Sequence, residues 1–114
     1  MIKARFTRDS HGNLVKFKLT GHADAGEYGQ DIVCAAVSAV SIGAVNGVEA
    51  LAGFTPSVDA DEVNGGHLQL VIDQELTGEQ MHITQILLEN LELSMQSIAE
   101  SYGDYVQIET SNQS

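Results

Sequence analysis

Two residues of this chain have the types that nucleophilic catalysis needs. Cys34 is the single cysteine, near the front of an apolar run, and His22 precedes it across a glycine-containing segment, HADAGEYGQDIVC. A cysteine and a histidine within hydrogen-bonding reach form a thiolate–imidazolium pair. The thiolate attacks a carbonyl carbon, and the imidazolium later protonates the leaving amine. This pair is therefore a candidate for acyl-transfer chemistry.

A structural role is the alternative for both residues. A lone cysteine in a helix rich in alanine and valine is more often structural than reactive, and a histidine at a strand end is commonly a polar rim residue. A metal site is the weaker alternative, because Cys34, His22 and Asp31 lack the spacing of any zinc pattern and a fourth ligand is missing. We expect no metal and no cofactor.

The predicted position of Cys34 in a helix also favours a role as a nucleophile. We predict a helix from about Asp31 to about Leu51, with Asp31 as its N-cap. Cys34 would then lie in the first turn, where unpaired N–H groups and the helix dipole favour a thiolate. The same N–H groups could receive the oxyanion that forms on carbonyl attack. Asp31 is accordingly a candidate supporting residue, as the cap or as an orienter of His22.

Other residues around the pair are candidates for supporting roles. Gly21 directly precedes His22 just past the end of a predicted strand, where a side chain can project from the rim of a sheet. The connector that follows is pliable enough to return the chain to that rim, and could also act as a lid. Ser38 and Ser41 lie on the helical face of Cys34, and we favour Ser38. A bond from either hydroxyl back to the helix is the alternative.

The elements that must position these residues form an α+β fold. Alternating and three- to four-residue apolar patterns predict the order β-β-α-β-β-α-β, a mixed β-sheet with two helices packed on one face. Thr77 and Gln80 have the spacing of a capping box at the start of the second helix, and Gly103 stops that helix. We expect a single domain over residues 1–110 and a frayed tail over 111–114.

The charge distribution limits the partners. The net charge is −11, all five basic residues lie in the first eighteen positions, and fifteen of the sixteen acidic residues follow them. Such a surface repels phosphate, so we expect no direct nucleic-acid binding, and a basic protein or peptide partner is favoured. A plain acidic, soluble protein is the equal alternative. One face of the first hairpin carries four of the basic side chains, Lys3, Arg5, Lys16 and Lys18. We expect Asp59 and Asp61 to pair with its lysines across strands, and a docking patch for a partner is the alternative.

The cellular compartment is predicted from the cysteine count and from hydropathy. One cysteine excludes an internal disulfide and fits a reducing cytosol. The longest uncharged run, residues 32–48, is shorter than the ~20 residues of a membrane span and contains serine and asparagine. We expect a core helix there, a cytoplasmic location and no membrane partner.

The segments around the candidate pair resemble a known family. TGHA, a glycine-containing loop and then GQDIVCAAVSA are similar to the signature of the ribosomal-processing cysteine proteases, the Prp family. The resemblance extends over nearly the whole chain and implies that His22 is the catalytic histidine and Cys34 the nucleophile. It also implies a homodimer, and a loop between the two catalytic residues that moves when substrate binds.

The resemblance implies a definite reaction. Members of this family are bacterial cytosolic endopeptidases that remove a short N-terminal extension from protein twenty-seven of the large ribosomal subunit, cutting after an aromatic residue. We therefore expect a cysteine endopeptidase with a Cys–His dyad and that extended ribosomal protein as its substrate. Two alternatives stay open. One is a non-catalytic acidic module that binds a basic ribosomal protein or an assembly factor, and the other is a cysteine hydrolase with a different acyl substrate.

Overall fold

The secondary structure follows the predicted order. The computed structural model of the protein describes residues 1–21, 28–61 and 66–113. The strands and helices are β1 (Ile2–Arg8), β2 (Leu14–Thr20), α1 (Tyr28–Gly47) with a π-helical extension (Val48–Ala52), β3 (Ser57–Ala60), β4 (His67–Val71), α2 (Gly78–Ser101) and β5 (Val106–Asn112).

The strands form one mixed five-stranded sheet in the order β3-β4-β2-β1-β5. The β1–β5 pair is parallel, whereas the β1–β2, β2–β4 and β3–β4 pairs are antiparallel. A parallel neighbour needs a crossover connection, and the chain between β1 and β5 contains both helices. The predicted α+β class, with a mixed sheet and two helices, is confirmed.

One face of the sheet carries the hydrophobic core against the helices. Phe6 lies opposite Phe17 in the β1–β2 register, their ring centroids are 5.0 Å apart, and Val33, Val37 and Met95 of the helices belong to the same buried cluster. The register of β1 against β2 shifts between Thr7 and Arg8. A bulge of this kind changes which side chain faces the core. Leu14 is therefore buried, whereas Val15, which strict alternation with Phe17 would bury, is only half-buried.

Helix α1 begins earlier than predicted. It starts at Tyr28, so Asp31 lies inside the helix, and the prediction that Asp31 is its N-cap is wrong. Gly29, which we placed in a loop, is helical, and one glycine costs a helix only about 1 kcal/mol. Cys34 consequently lies in the second turn, where backbone N–H groups bond to carbonyls four residues earlier. The helix-start amides are therefore not adjacent to Cys34, contrary to our expectation for the oxyanion.

Strand β5 ends later than predicted, and α2 starts with the predicted capping box. Ser111 and residue 112 continue β5, so they do not belong to the frayed tail that we expected. They pair with the end of β1, and the Thr7 and Ser111 hydroxyls are 3.0 Å apart. The capping box is confirmed, since Gln80 N donates to Thr77 Oγ1 over 3.1 Å and Thr77 N to Gln80 Oε1 over 3.0 Å.

The predicted pairing of the basic hairpin face with aspartates is wrong. Strand β3 lies next to β4 rather than next to the hairpin, so Asp59 is opposite Gln69 and not a lysine. The acidic partner of this basic face lies instead on β5, where Glu109 Oε2 is 2.7 Å from Arg5 Nη2. This interaction lowers the pKa of Glu109. The strand order explains the error, because an edge strand reaches only its immediate neighbour.

Helix α1 is apolar over most of its length, but only part of it is buried. In the described part of the chain, one helical stretch of 21 residues, Ile32–Ala52, has the length and composition to cross a membrane, with a mean hydropathy of 1.7. A core helix of a soluble protein can have the same length and composition, and Val33, Val37 and Val48 of this stretch are buried against the rest of the protein. Only 22% of an 18-residue apolar segment within the stretch is buried. Much of the apolar surface of α1 is therefore exposed in the single chain.

Candidate active site

A cleft of about 530 Å³ opens between α1 and one end of the sheet, and Cys34 lies in its wall. The strands supply an apolar surface made of Ile2, Leu19 and Leu68, and α1 adds further side chains beside Cys34. The thiol is free and half-buried, and its residue packs against the hydrophobic core. An apolar cleft with a nucleophile in its wall and few polar groups is the usual form of a small binding site.

Three of the predicted site residues line this cleft, and the position of the predicted base is not described. Gly21, Cys34 and Ser38 all line it, and Ser38 is exposed one helical turn after the cysteine. His22 lies outside the described residues, as does the greater part of the predicted loop. Gly21, the residue before His22, is on the same cleft as Cys34. The Cys34–His22 pair, and a role for Asp31 as its orienter, stay predictions.

Gly21 has a conformation and a packing that require glycine. Its φ is +90°, in the region that residues with a side chain rarely adopt. A Cβ at this position would lie 2.2 Å from the Met1 carbonyl oxygen, so the backbone of β1 leaves no room for a side chain. Gly21 N also donates a hydrogen bond of 2.9 Å to the Gly66 carbonyl oxygen. This bond ties the end of β2 to the start of β4 at the wall of the cleft.

His67 is a cleft residue that the sequence analysis did not select. It begins β4, lies opposite Thr20 of β2 and lines the same cleft as Cys34. Its Nε2 is 3.4 Å from Asp59 Oδ2 on β3. The signal in the sequence is weak, because only the β2–β4 pairing brings this histidine next to Gly21. The imidazole of His67 is thus available in the cleft, with a carboxylate partner on β3.

Among the described residues that line the cleft, the polar side chains other than His67 are acidic or neutral. Asp61 follows β3 and lines the cleft, and Asp59 lies behind His67. A basic peptide would meet favourable charges here. Within residues 1–21, 28–61 and 66–113, no group of three or more His, Cys, Asp or Glu side chains could hold a metal ion.

Comparison with known proteins identifies the family. The model of the family described as cysteine protease Prp matches residues 1–107. The chain belongs to the cysteine protease Prp family. The ribosomal processing cysteine protease Prp of Bacillus subtilis (strain 168) is 39% identical over 110 residues, which are 96% of this chain and 97% of that protein. The protein of the same name from Staphylococcus aureus (strain Mu50) is 35% identical over 108 residues, which are 95% and 97% of the two chains.

Solved structures share the fold of this Prp-family member. The crystal structure of SMU.848 from Streptococcus mutans is 40% identical, with a TM-score of 0.87, and the match covers 99% of this chain and 96% of that one. The ribosomal processing protease Prp from S. aureus has a TM-score of 0.82 in complex with a covalently linked product peptide, at 34% identity over 96% of this chain and 99% of that one. Its complex with a substrate peptide gives the same TM-score at 32% identity and the same coverage.

The family resemblance stated from the sequence is confirmed. Membership in the Prp family makes this protein a cysteine protease, so the alternative of a non-catalytic acidic module is not retained. Since Cys34 is the single cysteine of the chain, it is the residue available as the nucleophile of such an enzyme.

Proposed function

We propose that this protein is the endopeptidase that removes the N-terminal extension of bacterial large-subunit ribosomal protein twenty-seven, cutting after an aromatic residue. The observation that carries the proposal is the cleft that Cys34 shares with Gly21, the residue before His22. The relatives at 35–39% identity are ribosomal processing cysteine proteases, which supports this class of substrate. The apolar side chains of Ile2, Leu19 and Leu68 provide a surface for an aromatic side chain.

The reaction follows from the two side chains. His22 accepts the Cys34 thiol proton, and Sγ attacks the scissile carbonyl carbon to form a C–S bond and an oxyanion. The oxyanion collapses, the C–N bond breaks, and the His22 imidazolium protonates the departing amine. Water, deprotonated by His22, then attacks the thioester, and the C–S bond breaks to release the acid and restore the thiol. The cycle consumes one water for each peptide bond and needs no cofactor.

Variants of the two residues test this assignment. Cys34→Ser should abolish measurable cleavage, and His22→Ala should lower kcat by about 10²–10⁴-fold, the usual contribution of a general base. The matched control is His82→Ala, which removes an exposed histidine on α2 away from the cleft. Each variant should keep the wild-type circular dichroism spectrum. Wild-type turnover by the folded His22→Ala variant would overturn the dyad, and a loss on substituting His67 instead would assign the base to that residue.

Alkylation of the thiol provides a test without substrate. His22 should promote formation of the thiolate, so His22→Ala should slow the reaction of Cys34 with iodoacetamide at neutral pH. His82→Ala should not change this rate. Equal rates in the wild type and both variants would contradict a functional pair, whatever peptide the enzyme cuts.

The protein is further proposed to act as a homodimer through exposed apolar side chains of α1 and its extension. Ile32 and Leu51, neither of which lines the cleft, are 47% and 64% exposed. A second copy of the chain would cover such side chains. Sedimentation should therefore give a dimer that Leu51→Glu dissociates. The control is Leu93→Glu on α2, where the leucine is 61% exposed. A monomeric wild type, or equal effects of both variants, would contradict this interface.

The cytoplasm is the proposed location of the enzyme. Ribosomal proteins are made there, and a free catalytic thiol stays reduced in that compartment. Fractionation of cells that produce the tagged protein should recover it with cytosolic markers, and recovery in the membrane fraction would contradict the proposal.

A further inference from the structure

Ser41 is a buried polar residue in the wall of the cleft. Its side chain is 0% exposed, and its Oγ has no hydrogen-bond partner. The same residue lines the cleft that contains Cys34. Buried hydroxyls in folded proteins are nearly always hydrogen-bonded, and a helical serine commonly bonds to the carbonyl four residues earlier. An unpaired hydroxyl at this place therefore needs an explanation.

The other buried unpaired oxygens of the described residues lie elsewhere. They belong to Thr84 and Glu92, both on α2, and neither residue lines the cleft. Glu92 also has a partner for its second carboxylate oxygen, since Oε1 accepts from Arg8 over 3.1 Å. Ser41 thus combines an unmet hydrogen bond with a position against the space where a substrate would lie.

The geometry of α1 relates Ser41 to the scissile bond. Cys34 and Ser41 are two helical turns apart on one face, and both contribute to the cleft wall. Two turns advance about 10 Å along the helix axis. An extended peptide advances about 3.3 Å per residue, so the same distance corresponds to roughly three substrate residues.

We propose that Ser41 is a specificity-determining residue. Its hydroxyl forms a hydrogen bond with a main-chain amide or polar side chain of a substrate residue about three positions from the scissile bond. This inference rests on the proposed endopeptidase function and deepens it. Serine changes rotamer without backbone movement, so the bond requires only a local shift of cleft side chains when the peptide binds. The residue touches the substrate but not the reacting atoms.

Steady-state kinetics on Ser41→Ala test the proposal. The substrate is a peptide that spans the extension junction of large-subunit ribosomal protein twenty-seven. Loss of one neutral hydrogen bond should raise KM by about three- to tenfold. The value of kcat should stay within about twofold, because the bond is made equally in the ground and transition states. The melting temperature should not fall, since the free protein loses no hydrogen bond.

Thr84→Val is the matched control. It also removes a buried unpaired hydroxyl, but on α2 and away from the cleft, and it keeps the shape of the side chain. It should leave KM unchanged. Alanine substitution along the peptide should then identify one position, about three residues from the cut, at which wild type and Ser41→Ala no longer differ.

The outcomes separate this inference from the function on which it rests. Cleavage by wild type with an equal KM for Ser41→Ala would overturn the role of Ser41 alone. A lower melting temperature for Ser41→Ala, with KM unchanged, would assign the hydroxyl a structural role instead. If wild type does not cut the peptide at all, the proposed function fails, and the inference fails with it.

Discussion

Gly21 connects the end of a strand to the predicted catalytic base. It ends β2, bonds to Gly66 beside β4 and contacts the first residue of the chain, while the next residue in the sequence is the predicted base. Neither the positive φ nor the contact with Met1 can be read from TGHA alone. The type of residue is visible in the sequence, but the reason for it depends on β1 lying alongside β2.

We predict that Gly21→Ala lowers both stability and activity. The added Cβ would lie 2.2 Å from the Met1 carbonyl oxygen, so β1 or the end of β2 must move. We expect an unfolding free energy lower by at least about 2 kcal/mol, from backbone strain plus displacement. Thermal denaturation and peptide cleavage measure the two effects.

Gly12→Ala is the control for that variant. Gly12 has a similar φ of +82°, but nothing lies within 4 Å of an added Cβ. It should therefore lose only the strain of a left-handed residue, about 1–2 kcal/mol, and keep its activity. Equal stability losses and equal activities for the two variants would show that the contact with Met1 is unimportant.

At the scale of elements, local patterns predicted more than non-local ones. The periodicity of apolar residues predicted five strands and two helices, and the Thr77–Gln80 spacing predicted the start of α2, because both signals lie within a few neighbouring residues. The place of β4 beside β2, and with it the position of His67 in the cleft, depends on pairing between strands distant in sequence.

Arg8 joins the end of β1 to α2 through a partly buried ion-pair network. Its Nη1 lies 2.5 Å from Glu89 Oε1, and its Nη2 lies 3.1 Å from Glu92 Oε1. Hydrogen bonding to Glu89 is the main cause of the raised pKa of Arg8. The side chain of Glu92 is only 11% exposed, so its carboxylate depends on this guanidinium.

We predict that Arg8→Ala destabilises the fold far more than Arg5→Ala. Arg8→Ala leaves the Glu92 carboxylate buried without a cation, and should lower the unfolding free energy by about 2–3 kcal/mol. Arg5 pairs with Glu109 at the surface, with side chains 57% and 32% exposed, so its removal should have little effect. Urea denaturation measures both variants at one pH. Equal midpoints for the two variants would contradict the importance of burial.

The Arg5–Glu109 pair adds a small dependence on pH. Because Arg5 lowers the pKa of Glu109, this pair contributes its full stabilisation above the ordinary pKa of a glutamate. The contribution is lost as the pH falls through the lowered value in the folded protein. Wild type should thus lose its small advantage over Arg5→Ala in acid, as seen in melting curves recorded from neutral pH downward. An advantage that grows in acid would contradict the sign.

On the scale of the whole molecule, charge is the property most relevant to substrate capture. The net charge is −11, and four of the five basic side chains lie on the sheet face opposite the core, namely those of Lys3, Arg5, Lys16 and Lys18. The fifth, Arg8, reaches α2 instead. The acidic residue Asp61 lines the cleft itself. The sequence predicted the excess of acid and a basic partner. It could not place the acid relative to the cleft, because that requires the strand order.

We predict that salt weakens the capture of a basic substrate. Raising the ionic strength from about 0.05 M to about 0.5 M shortens the Debye length several-fold and should lower kcat/KM by roughly an order of magnitude for the intact basic ribosomal protein. A short neutral peptide with the same junction is the control and should be affected much less. Equal salt dependence for the two substrates would show that the charge of the protein has no part in recognition.

The most direct test of the central claim is the intact mass of N-terminally extended large-subunit ribosomal protein twenty-seven after incubation with this enzyme. Wild type should produce a single loss that corresponds to the extension, cut after an aromatic residue, and Cys34→Ala should leave the mass unchanged. Cleavage by Cys34→Ala, or an unchanged mass with wild type, would contradict the account.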